Sequence, residues 1–193
     1  MRSRLSARLM LFACALCAAA INGPVTAAEY TVDPSHAFIQ FRISHLGYSV
    51  LAGRFNDFGG TFDWDQDNPA GSAIDVTIRT ASIDTNWAER DKHIRGEDFL
   101  DVEHFPVATF TSSKFTGDAQ RGKLEGILTL HGVSKTVTLD VHTVGEGDDP
   151  WGGYRAGFAG TTTIDRTDFG IAYDLGPTAN TMDFDLFIEG IRQ

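Results

Sequence analysis

Cysteine is almost missing from this chain: 193 residues hold two, Cys14 and Cys17. Both lie in a stretch with the order of a secretory leader, in which Arg2, Arg4 and Arg8 precede a short apolar run and the small residues Val25-Thr26-Ala27-Ala28 close it. The expected organisation is a signal peptide over residues 1–28, cleaved after Ala28 or Ala27, and one domain over residues 29–193 destined for the periplasm. Leu11-Phe12-Ala13-Cys14 only loosely matches a lipoprotein processing site, because Phe12 stands where a small residue is usual. Without the leader there is no thiol, hence no disulfide and no thiolate metal ligand. Long apolar runs are missing too: Leu9 to Ile21 falls short of the roughly 20 residues that span a bilayer as a helix. Positive charge is scarce, with 16 Lys and Arg against 26 Asp and Glu and a net charge of -10. Loss of the three leader arginines makes the charge more negative still. So acidic a surface repels nucleic acid and anionic lipid, and neither is expected as a partner. No Pro/Ser/Gly linker or internal repeat divides the chain.

What is present is a two-residue period. Ile39, Phe41 and Ile43 alternate with Gln40, Arg42 and Ser44; Ile74, Val76 and Ile78 alternate with Asp75, Thr77 and Arg79. Leu124, Leu128 and Leu130 share a face, as do Val137, Leu139 and Val141, and Met182, Phe184, Leu186 and Ile188. Each run predicts a strand with one dry and one wet face. His131-Gly132 between two such runs predicts a tight hairpin, since Gly tolerates positive φ and His visits that region more readily than most residues. About eight antiparallel strands with short connections give a sandwich or a barrel. A barrel leaves no open edge and encloses room for a small ligand. Polar outward positions argue against an outer-membrane barrel.

One stretch, Ser82 to Pro106, breaks the period. Asn86 with Glu89 three residues on predicts an N-cap, and Gly96 a stop, for one or two short helices crossing an open end of the barrel. Trp87 and Ile94, seven apart, are expected on one side, and Asp91 and Arg95, four apart, can pair. Arg90, Asp91 and His93 form the one constellation with catalytic character. It would suit a periplasmic hydrolase or isomerase at the barrel mouth, but no Ser or Cys nucleophile and no oxyanion turn accompanies it. The structural reading, in which Arg90 and Asp91 tie the helix to neighbouring strand ends, is preferred, and no enzyme activity is expected. The six histidines lack the i, i+4 spacing of a zinc helix. Asp63-Trp64-Asp65-Gln66-Asp67 starts like a calcium loop, but Asn68 and Ile74 occupy its diagnostic positions. No metal and no cofactor is expected.

Several pieces in order resemble the YceI family of bacterial periplasmic proteins. They are Tyr30-Thr31-Val32-Asp33-Pro34-Ser35-His36, Ser44-His45-Leu46-Gly47 with Gly53-Arg54-Phe55, Ser82-Ile83-Asp84-Thr85, and Glu89-Arg90-Asp91-Lys92-His93-Ile94-Arg95 with Asp98-Phe99-Leu100-Asp101. Leu128-Thr129-Leu130-His131-Gly132-Val133-Ser134-Lys135 and Asp165-Arg166-Thr167-Asp168-Phe169-Gly170 complete the set. Two positions depart from the family pattern, Ala37 where Ser commonly follows the early His, and Asn180-Thr181-Met182-Asp183 where the last strand usually opens Val-Gly-Asp. The resemblance implies an all-β, eight-stranded antiparallel lipocalin-like barrel whose interior takes a long isoprenoid lipid, polyprenyl or quinone, for transport or storage. On that reading the lipid-binding wall is Phe41, Ile43, Phe58, Phe62, Ile74, Val76, Ile78, Phe99, Phe110, Leu128, Leu139, Phe158, Phe169, Phe184 and Leu186. Its rim or helix anchor is His36, His45, Arg90, Asp91 and His93. A homodimer, and a membrane as lipid donor or acceptor, are compatible with the sequence.

Overall fold

A computed structural model describes residues 27–193. The expected leader, apart from its last two residues, lies outside the described residues. Eleven strands form one antiparallel sheet: β1 (Ala28–Val32), β2 (Phe38–His45), β3 (Ser49–Phe55), β4 (Phe58–Trp64), β5 (Ala73–Arg79), β6 (Ile83–Asp84), β7 (Val107–Gly117), β8 (Arg121–Leu130), β9 (Val133–Asp148), β10 (Tyr154–Asp165) and β11 (Thr181–Arg192). The order β1-β4-β5-β7-β8-β9-β10-β11 closes on itself because β11 also pairs with β1. The result is the expected eight-stranded barrel. The remaining strands lengthen it: β2, β3 and β6 continue the lines of β1, β4 and β5. One helix, α1 (Ala88–Ile94), lies between β6 and β7.

The interruptions between these paired segments fall side by side and are bridged. Across the second and third, the Asn56 N–H donates to Ser82 O and the Arg79 N–H to Asp57 O. The first break, Asp33 to Ala37, contains Pro34, which has no N–H for a ladder. There the Arg155 guanidinium bonds Asp33 Oδ2 at 2.7 Å, Glu189 Oε1 at 2.6 Å and Asp149 Oδ2 at 3.0 Å. Asp33 also accepts from the Ser35 N–H and hydroxyl. The arginine, then Ser35 and His36, hold the Asp33 carboxyl well below the usual carboxylate range. A bulge at Ser113 interrupts the pairing of β7 with β8, and the neighbouring Ser112 hydroxyl takes the Ile74 N–H at 2.8 Å.

Sequence periodicity places the apolar faces inward as expected, and the predicted hairpin is present. His131 and Gly132 have φ of 52° and 72° and connect β8 to β9 in two residues, the twist-compatible turn for a short hairpin. A recurring inner-wall contact is less obvious from sequence. Phe41, Phe62, Phe110 and Phe115 each lie over a glycine on a neighbouring stretch of wall: Gly53, Gly190, Gly126 and Gly122. A Cβ added at any of these glycines would come within about 2.5 Å of the ring, inside contact distance. The rings therefore lie down on bare backbone, sideways along the wall.

Two outcomes are expected. Gly126→Val drives the Phe110 ring off the wall and destabilises the fold by about 1–3 kcal/mol, read from urea unfolding. Asp33 has a depressed pKa when folded, so its contribution is complete above its unfolded pKa, about 3.9, and is lost as the pH falls below that value. Asp33→Asn should cost roughly 1–3 kcal/mol at pH 7. The gap to the parent should narrow steadily in acid, as followed by denaturant titrations across pH.

Candidate functional site: an apolar bore

Inside the barrel runs a cavity of about 540 Å³, within the roughly 300–1,000 Å³ range of small-molecule sites. Its wall is aliphatic and aromatic. Of the residues expected to bind lipid, Phe41, Ile43, Phe62, Ile74, Val76, Ile78, Phe99, Phe110, Leu128, Leu139, Phe158, Phe184 and Leu186 line it. Phe58 and Phe169 do not. Phe58 follows the break between β3 and β4 and packs into the surrounding core. Phe169 is 2% exposed in the turn after β10, where its carbonyl meets His131 Nδ1 at 3.1 Å.

The end away from α1 is packed with aromatics. Tyr30 stacks on Phe62 with centroids 4.9 Å apart, while Phe62 and Trp64 meet Phe158 edge-on at 5.5 and 4.9 Å. The Trp64 indole N–H donates to Glu146 Oε2 at 2.8 Å. At the α1 end the lining passes to His45, Leu46, Arg90, His93, Ile94, Phe99, Tyr173 and Leu175. Several of these are exposed, so the bore meets solvent here. His93 contacts Phe99 and Tyr173 edge-on at 5.0 and 5.6 Å, forming an aromatic cluster at the opening.

Helix α1 sorts its charges by face. Arg90, His93 and Ile94, at i, i+3 and i+4, turn to the bore. Asp91 and Arg95 turn to the strand ends. Asp91 is buried and accepts from the Thr85 N–H at 2.9 Å and from its hydroxyl. Arg95 donates to the Ala81 and Ile83 carbonyls at 2.7 and 2.6 Å. Arg90 Nε donates to the Thr85 hydroxyl at 2.7 Å and its Nη2 to the Thr85 carbonyl. Arg90 and Asp91 thus anchor the helix to the end of β6, through Thr85.

Other expectations need correction. Asp91 and Arg95 do not pair, because each reaches a closer backbone partner. Asn86 does not cap the helix: it has φ of 63°, and extended Trp87 occupies the N-cap position without a side-chain bond. Trp87 is 62% exposed and does not share a side with Ile94. A single α-helix forms between β6 and β7, within the expected one or two. The catalytic constellation is not assembled. Asp91 points away from the bore, and the carboxylate near His93 is Asp98, at 3.2 Å, with both side chains about half exposed.

His36 is not at the rim. It sits at the β1–β2 break, where its Nδ1 lies 3.0 Å from Asp33 Oδ2. Asp33, His36 and Glu189 bring ligand-type atoms within 4.8 Å of one another, but the Arg155 guanidinium already bonds both carboxylates and supplies the positive charge there.

Sequence reading missed Arg166. The residue is 3% exposed and lines the bore, and its guanidinium clasps the segment between β10 and β11. Nε donates to Ala179 O at 2.7 Å, Nη1 to Ile171 O, and Nη2 to Tyr173 O at 2.7 Å and Asn180 Oδ1 at 3.1 Å. Burial pulls its pKa down, opposed by the charges of Asp165 and Asp174. The available signal was parity: Ile164 faces inward, and two residues on lies Arg166.

Comparisons with known proteins agree with this architecture. A family model described as the YceI-like domain matches residues 30–189. A UPF0312 protein of Pseudomonas aeruginosa is 53% identical over 173 residues, covering 89% of this chain and 91% of its own. The crystal structure of Burkholderia cenocepacia BcnA superposes with a TM-score of 0.74 at 23% identity, over 82% of this chain and 98% of its own. A structure described as a polyisoprenoid binding domain from Saccharophagus degradans, implicated in plant cell wall breakdown, does so with a TM-score of 0.63 at 17% identity, over 86% and 99%.

Removing the helix anchor should be costly. Asp91→Ala leaves the buried Thr85 N–H and hydroxyl without their acceptor, at about 1–3 kcal/mol. Asp98→Ala, on the exposed side, should cost below about 0.5 kcal/mol. Thermal unfolding of the two variants side by side checks the difference.

Proposed function

The chain belongs to the YceI family, and from that premise we propose that its bore holds the hydrocarbon tail of an isoprenoid lipid, polyprenyl or quinone, which the protein stores or carries through the periplasm. One observation carries the reading: a cavity of about 540 Å³ walled mostly by Ile, Leu, Val and Phe. Such a wall offers a tail no hydrogen bonds and requires none. Keeping a tail out of water is worth about 0.8 kcal/mol per CH₂, so a matching sleeve shelters a branched tail as a lipid phase does. The printed description of the Saccharophagus degradans domain supports the same ligand class.

The periplasmic setting rests on the leader read from the sequence. Cleavage after Ala27 leaves β1 whole, whereas cleavage after Ala28 removes a residue paired with Trp64. Transfer from a membrane is supported by the opening, where Leu46, Tyr48 and Tyr173 stand exposed beside the α1 end. Binding without turnover is supported by the separation of Asp91 from His93 and by the structural use of Arg90.

A plug tests the reading. Leu186→Trp places an indole in the bore. If the space is hollow, the variant folds with little loss, where a packed core would lose about 1–3 kcal/mol. Lipid recovered by extraction and native mass spectrometry from freshly purified protein should fall by about tenfold, a change worth 1.4 kcal/mol. Equal lipid content in parent and variant, or none in the parent, would overturn the reading.

A further inference from the structure

The end of the bore away from α1 is built differently from the rest of its wall. Along the middle the lining is mostly Ile, Leu and Val, whereas the rear is made of rings locked against one another. Trp64 and Phe158 face the cavity there, with Phe62 beside them and Ile188 paired to Phe158 across the sheet. Phe62 has nowhere to retreat, because Tyr30 is stacked on it and Gly190 lies under its edge. Trp64 is held twice, by its edge-on contact with Phe158 and by the indole N–H bond to Glu146 Oε2 at 2.8 Å. Past these rings the lining turns polar or meets water. It consists of Ser72, whose buried hydroxyl has no hydrogen-bond partner among the described residues, and of Asp63 and Ala73, which pair with each other and are exposed.

A fixed stop has a thermodynamic consequence for any tail that enters. Inside the sleeve each isoprene unit exchanges one apolar surrounding for another, so length is nearly neutral while the tail fits. A unit beyond the available length is left in water at the α1 end and forfeits the transfer free energy of all its carbons. A tail that is too short leaves a void against the rings. Rings held by stacking and by a hydrogen bond cannot collapse into that void, so its lining loses contacts outright. Both errors cost, and occupancy therefore peaks at one length. A movable stop would flatten the peak, which gives Glu146 a role although it is not on the lining: it fixes the indole.

We propose that Trp64 and Phe158 are the stop of a length gauge, the residues that set how many isoprene units this protein accepts. Glu146 is the positioning residue that holds the indole across the rear of the bore. The proposal rests on the isoprenoid reading above and deepens it by assigning the choice of tail length to named side chains. It concerns only the end of the ligand that carries no polar group.

In the experiment, delipidated protein is incubated with phosphatidylcholine vesicles holding an equimolar series of polyprenols of increasing length. Native mass spectrometry then reads which members the protein has taken up. All members share the same alcohol group, so only length differs. In the parent a narrow band of lengths should dominate, and the next longer member should fall by about tenfold. Trp64→Leu opens the rear and should move the maximum to longer tails by about one unit, while Ile188→Phe fills it and should move the maximum to shorter ones. Glu146→Leu should broaden the distribution. Glu146→Gln, whose side-chain carbonyl still accepts from the indole, should keep it narrow. Uptake of all lengths alike, or a maximum that stays in place in both Trp64→Leu and Ile188→Phe, overturns the gauge and leaves the isoprenoid reading standing. Uptake of no polyprenol overturns both. A distribution as narrow in Glu146→Leu as in the parent removes Glu146 from the assignment.

Discussion

Phenyl rings seated over glycine are the contact on which the hollow interior depends. An inner wall built of Phe and Ile would ordinarily close over its own axis, since protein interiors pack to near-crystalline density. Here Phe41, Phe62, Phe110 and Phe115 rest on Gly53, Gly190, Gly126 and Gly122. Each pair removes a side chain from one strand so that the ring of another can turn aside. The backbone cost of glycine in a strand is about 0.5–1 kcal/mol. Closure of the sheet through β1 and β11 offsets it by pairing backbone around the full ring. A closed ring and bare glycines together make an apolar wall with space behind it.

The two ends of the bore differ because different chemistry assembles them. Aromatic edge contacts among Phe62, Trp64 and Phe158 fill the end away from α1, and they need no hydrogen bonds apart from that of the indole. The α1 end is held by arginines that reach backbone carbonyls: Arg95 on Ala81 and Ile83, Arg90 on Thr85, and Arg166 on Ile171, Tyr173 and Ala179. Irregular segments leave carbonyls without ladder partners, and a planar five-donor cation can collect several at once. The chain therefore gathers long cationic side chains where its backbone is least regular. Positive charge at the opening follows from building it with loops.

Much of this was legible beforehand. Alternation in Phe41 and Ile43, in Ile74, Val76 and Ile78, and in Phe184 and Leu186 assigned the wall correctly, because a period of two on a closed sheet leaves no choice of face. The His131-Gly132 hairpin was equally plain. Errors came where local rules compete with tertiary contacts. Asn86 resembled an N-cap, but the chain needed a left-handed residue there to turn out of β6. Asp91 and Arg95 had helix-pair spacing, yet orphan groups on Thr85, Ala81 and Ile83 were nearer. Phe58 had the correct parity and pairs with Ile78, but it packs into the core beside the break in its strand and does not reach the bore. His36 was placed at the rim because it precedes a strand, but that strand continues β1 along the wall.

Arg166 was readable only by accepting that an inward position in a strand pattern can be charged. A sleeve made solely of hydrocarbon would retain any sufficiently apolar molecule, with little power to orient it. Adding a buried cation at one end breaks that symmetry. The wall remains apolar along its length, but its two ends now differ by a charge whose field a dry wall magnifies. The guanidinium itself needs no reordering, because carbonyls have already fixed it in place. The same hydrogen bonds that clasp the segment between β10 and β11 hold a charge at the lining of the bore, so one side chain both ties the chain and marks one end of the sleeve.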